Sequence, residues 1–108
     1  MSDGASDNVE MVKAFLRGQN MEQVGRLDNA IELYEGTVSG GFDSTGPYDR
    51  LIALYSSDAR HADVIRIAEA ALKSVHTYDD KKAWYERMRN DALKAQKDAV
   101  PKAAPKQR

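Results

Sequence analysis

Apolar residues recur three and four positions apart along most of this chain, the period of a helix buried on one face. Between Val9 and Val24 they are Met11, Ala14, Phe15 and Met21. Gly25 ends that segment, because glycine reaches the left-handed cap conformation without a Cβ clash. Asp28 reads as the N-cap of a second helix, whose apolar face is Ile31, Leu33, Tyr34 and Val38. Ser39 to Pro47 is turn chemistry, and Pro47 suits the first turn of the next helix. A third helix carries Tyr48, Leu51, Ile52, Leu54 and Tyr55 and stops near Ser57-Asp58. A fourth runs from His61 to Val75 with Val64, Ile65, Ile67, Ala68, Ala71 and Leu72. Thr77 to Asp80 offer N-caps for a fifth, along which Tyr85, Met88, Ala92, Ala95 and Ala99 lie three and four apart. No stretch alternates β-branched and polar residues, so the pattern predicts an all-α protein without strands.

The polar ends lie outside this periodicity. Residues 1–8 read as a disordered leader, 9–99 as one helical domain, and 100–108, with Pro101 and Pro105, as a disordered basic tail.

Self-similarity at a fixed offset adds the most. The segment Gly25 to Glu35 is matched further along by Ala59 to Glu69. In that register Arg26 meets Arg60, Ile31 meets Ile65, Leu33 meets Ile67 and Glu35 meets Glu69. Thr37 and Val38 then fall on Ala71 and Leu72.

Period and residue types resemble the tetratricopeptide family, whose helix–turn–helix repeats are about 34 residues long. Two such repeats fit over about residues 11–78. The family's first helix has an aromatic, a leucine three later and a tyrosine four beyond, a pattern met by Tyr48, Leu51 and Tyr55. Its second helix has a small residue, a bulky one four later and a small one three beyond. Ala30, Tyr34 and Thr37 fit this, and Val64, Ala68 and Ala71 approximate it. There are departures. Arg17 stands where leucine is expected, Phe42 and His76 replace the closing proline, and Trp84 falls two residues late for a third repeat. The resemblance implies two antiparallel hairpins and a capping helix in a right-handed α-α superhelix.

Composition narrows the chemistry. The 108 residues include no cysteine, which excludes disulfides, thiolate nucleophiles and cysteine–zinc sites. Sixteen basic and seventeen acidic residues leave a net charge of −1, so no overall field favours nucleic acid or membrane. The longest apolar run, Leu51 to Tyr55, is far too short to span a bilayer, and the expectation is a cytoplasmic protein. His61 and His76 lie 15 apart with no spaced carboxylates to complete a metal site. The glycine-rich stretch before Pro47 lacks the Gly-Lys-Ser/Thr ending of a phosphate loop and follows a helix. No enzyme, cofactor or metal is expected.

The resemblance implies binding of a partner polypeptide in a concave groove lined by the first helix of each hairpin. The corresponding residues are Val12, Phe15, Gln19 and Glu22, then Asp49, Ala53 and Ser56, with Arg50 beside them. Members that clamp a C-terminal carboxylate use Lys and Asn where this chain has Phe15 and Gln19, so that clamp is absent. The fifth helix has two readings: a cap burying Tyr85 and Met88, or an interface for a homodimer. An alternative function is weak, sequence-independent nucleic-acid association through Lys94, Lys97, Lys102, Lys106 and Arg108.

Overall fold

A computed structural model describes the backbone of residues 4–76 and 81–103, with side chains over 8–76 and 81–98. The described residues form five helices and no strand: α1 (Gly4–Gln23), α2 (Leu27–Ser39), α3 (Thr45–Ser57), α4 (His61–Ser74) and α5 (Lys81–Ala103). Helices α1 and α2 pack as one hairpin, α3 and α4 as a second, and α5 lies against α4.

The two hairpin turns repeat each other in the register read from the sequence. Gly25 has φ +82° and Ala59 has φ +56°, both in the left-handed region. Arg26 (φ −93°, ψ 73°) and Arg60 (φ −88°, ψ 73°) follow with matching backbones and start α2 and α4. Even the capping bonds correspond. The Arg26 amide donates to the Met21 carbonyl at 2.8 Å, and the Arg60 amide to the Tyr55 carbonyl at 2.9 Å. A shared turn conformation at a shared offset gives the two hairpins the same local entry into their second helix.

Three helix boundaries differ from the sequence reading. Arg26, not Asp28, is the N-cap of α2, and no side chain caps that end. Asp28 sits in the first turn, where its charge faces the positive end of the helix dipole. At the start of the chain α1 begins at Gly4, inside the expected leader. Residues 8–12 include no proline, so their amides can bond to the carbonyls of residues 4–8, and the helix nucleated from Val9 onward extends at little cost. Helix α5 runs through Pro101 to Ala103, into the expected tail. Proline there removes one backbone donor, and the helix ends two residues later. The expected caps at Thr77 to Asp80, the leader's first three residues and the tail beyond Ala103 lie outside the described residues.

The core runs through both hairpins and onto α5. Ala30, Tyr34, Tyr48, Leu51, Ile52, Ile67, Ala68, Ala71 and Tyr85 are fully buried or within 1% of it. In the repeat register, buried Ala30, Tyr34 and Thr37 fall on buried Val64, Ala68 and Ala71. Residue size differs at each equivalent position: Ala30 against Val64, Tyr34 against Ala68, Thr37 against Ala71. Helix α5 buries Tyr85 and Ala92 and packs Met88 against the same cluster, which gives the second hairpin its cover. A buried phenol needs a hydrogen-bond partner, and each of the buried tyrosines has one. Tyr48 donates to the Phe42 carbonyl at 2.8 Å, which fixes the loop between α2 and α3 over the core.

Candidate partner-binding face

The expected groove residues lie on α1 and α3, and the fold treats them unequally. Gln19, Glu22 and Arg50, together with Gln23, line one cleft of about 230 Å³ between the two helices. Val12 and Ala53 are exposed on α1 and α3 respectively. Val12 belongs to an apolar stripe with Val9 and Leu16, spaced three and four apart and open to solvent. Ser56 is turned elsewhere. It borders a cleft of about 200 Å³ with His61, Val64 and the α5 residues Met88, Asp91, Ala92 and Ala95.

Phe15 is a packing residue. Its ring lies 5.8 Å from that of Tyr34, centroid to centroid. On its other side stands Gly46, where a Cβ would come within 2.5 Å of the Phe15 ring. The glycine at the start of α3 is therefore what lets the second hairpin close on α1.

Glu22 and Arg50 carry the main electrostatics of the cleft. Arg50 Nε donates to Glu22 Oε1 at 3.1 Å, and Nη2 makes a second, short bond to Oε2. Tyr34 Oη donates to the same Oε1 at 2.7 Å. The Arg50 hydrogen bond holds the Glu22 carboxyl below its ordinary pKa, overriding partial burial. Burial first, and then the Glu22 charge, push the Tyr34 phenol well above its ordinary value. Both groups keep fixed protonation near neutral pH: a carboxylate and a neutral phenol.

The same construction occurs twice more. Glu35 accepts a short bond from Tyr55 Oη and two bonds from Arg66, at 2.9 and 2.7 Å. Burial works against the Glu35 charge, but Arg66 and Tyr55 outweigh it and its pKa falls. Burial raises the Tyr55 phenol to about 12, with Glu35 contributing. Arg66 also donates to Asp63 at 2.9 Å, which lowers the pKa of that carboxyl. Asp49, finally, accepts from Tyr85 Oη at 2.8 Å and pairs with Lys81 Nζ at 3.1 Å. Each time a carboxylate joins a buried tyrosine to a half-exposed cation. Glu22 and Asp49 are therefore surface residues with an internal task, whatever else they touch.

Glu35, Asp63 and Arg66 escaped the sequence reading. Their only trace is Glu35's place in the repeat and the Asp63–Arg66 spacing of three along α4. His61 and His76 do not converge, and the described residues contain no cluster of metal-ligating side chains. The His76 amide donates to Asp43 Oδ1 at 2.6 Å, a contact that ties the ends of two loops. None of the described helices is long and apolar enough to cross a membrane. No family model, curated protein or solved structure matches the chain.

Proposed function

We propose that this protein is an interaction module that binds a segment of a partner polypeptide along the solvent face of α1 and α3. The observation that carries the reading is the repeated hairpin turn, Gly25-Arg26 on Ala59-Arg60, beside the residue types that resemble tetratricopeptide repeats. In that register Gln19 of α1 falls on Ala53 of α3, and both are exposed. On that surface the apolar stripe Val9, Val12 and Leu16 adjoins the polar cleft of Gln19, Gln23 and the Glu22–Arg50 pair. An extended or helical segment with one apolar edge and one hydrogen-bonding edge fits a surface of this kind. The inward tethering of Glu22 and Asp49 narrows the contact set. Gln19, Gln23, Ala53 and the apolar stripe make the direct contacts, while Glu22, Asp49 and Arg50 set the field and hold the helices.

Site-specific photocrosslinking in the native cell tests this. A photoreactive phenylalanine at Gln19 or Ala53 should trap a discrete partner, and one at Glu69 or Lys73, exposed on α4, should not. Equal trapping from both helices, or trapping only from the basic residues after Asp98, would sink the reading.

A further inference from the structure

The geometry points to a second docking surface, on the back of the first hairpin, that takes an amphipathic helix carrying a basic residue. This surface is distinct from the α1–α3 face. A groove of about 530 Å³ opens there, floored by Ala14, Met21, Leu33 and Gly36 and flanked by Arg17 and Glu32. The protein itself shows what such a surface does. Shifted by one repeat, Met21, Leu33 and Glu32 become Tyr55, Ile67 and Arg66. Those are residues of the second hairpin that face the first: Tyr55 and Ile67 are buried, and Tyr55 and Arg66 both bind Glu35 of α2. The groove is thus the repeat equivalent of a helix-docking face, and no described residue of the chain covers it.

Its chemistry is altered in one informative way. Where the second hairpin presents Arg66 to receive the Glu35 carboxylate, the first presents Glu32. Where Tyr55 supplies a hydroxyl, Met21 supplies only a thioether. Among the described residues neither Glu32 nor Arg17 makes an ion pair, so neither charge is satisfied there. An occupant seated as α2 sits on the second hairpin would place a residue opposite Glu32, and that residue must be a cation. Helix α2 runs antiparallel to α3, with Phe42 near Tyr48 and Glu35 near Tyr55. One turn towards the occupant's C-terminus therefore lies beside Arg17, the counterpart of Leu51, and favours an acid. The occupant is a partner helix with an apolar stripe, a basic residue, and an acidic residue three or four positions later.

The chain supplies the probe for the test. A stapled helical peptide copying residues 27–39, with Glu35→Arg and Ser39→Glu, is titrated into the isotope-labelled full chain and followed by amide chemical shifts. Shifts should centre on Arg17, Met21, Leu33 and Gly36, and the peptide with Glu35 unchanged should bind several-fold more weakly. Glu32→Arg lies on an exposed helix face and should fold normally while reversing that preference. No binding, or a preference that Glu32→Arg leaves unreversed, overturns the proposal. So do shifts confined to Gln19, Gln23 and Arg50, which would assign the peptide to the α1–α3 face instead. Concentration-dependent doubling of mass that Glu32→Arg abolishes would assign the groove to a second copy and likewise overturn it.

Discussion

Two glycines in the first hairpin give opposite answers to the same substitution. In a helix interior, alanine is favoured over glycine by about 1 kcal/mol, because glycine loses more backbone freedom on folding. Gly36 meets only this effect, since a Cβ built on it has no neighbour within 4 Å. Gly36→Ala should therefore stabilise the protein by up to about 1 kcal/mol. Gly18 is different. A Cβ there would lie 2.6 and 2.9 Å from two carbons of the Tyr34 ring. The ring cannot step aside cheaply, because Tyr34 is wholly buried and its hydroxyl is held by Glu22. Overpacking of a tight core costs roughly 1–3 kcal/mol, which exceeds the propensity gain over most of that range. Gly18→Ala should lower stability by about 1 kcal/mol net, a fall of roughly 4–8 °C in melting temperature for a domain of this size. Urea titrations of both variants, followed by far-ultraviolet circular dichroism, measure the difference directly. A Gly18→Ala variant as stable as Gly36→Ala would show that Tyr34 does not press on α1, and the packing of the first hairpin would have to be redrawn.

Acid should act through Glu35. Its folded pKa is depressed, so its stabilisation is complete above the unfolded value of about 4.3 and is lost as pH falls through the folded value. Stability of the wild type should drop below about pH 4.5 more steeply than that of Glu35→Gln, and matching slopes in urea titrations across that range would refute the assignment. Core substitutions are simpler. Tyr55→Ala should cost roughly 3–5 kcal/mol and Ala30→Leu roughly 1–3 kcal/mol, since both residues are buried at the hairpin contacts. Denaturation midpoints unmoved by both would contradict the packing described.

The number of helices, the hairpin turns and most of the core were legible because each is written locally. Gly25 marks a turn, Pro47 a helix start, and Ala30, Tyr34 and Thr37 a face. The repeat offset, Arg26 to Arg60, then related distant segments without any knowledge of contacts. Asp28 misled because its type suits a cap, but the backbone conformation of Arg26 had already started the helix. The ties at Glu22, Glu35 and Asp49 were illegible for a different reason. Their partners lie 12 to 36 residues away on other helices, and no local spacing distinguishes these carboxylates from solvated ones. Sequence reading could put Glu22 and Arg50 on one face; only the fold could show that they hold each other.

Those three ties share a direction. Glu22 on α1 reaches α3, Glu35 on α2 reaches α4, and Asp49 on α3 reaches α5. Each one joins two helices that are not consecutive in the chain. Stacked hairpins with only nearest-neighbour contacts can fray from one end, each unit opening nearly independently of the rest. Here the loss of α1 would strand Arg50, and the loss of α5 would strand Asp49. The cations are half exposed, so each pair contributes no more than about 1 kcal/mol. Their placement matters more than their strength. By fastening every second helix, they make the opening of one hairpin a disturbance to the other, and the five helices should exchange their amide protons as a single cooperative unit.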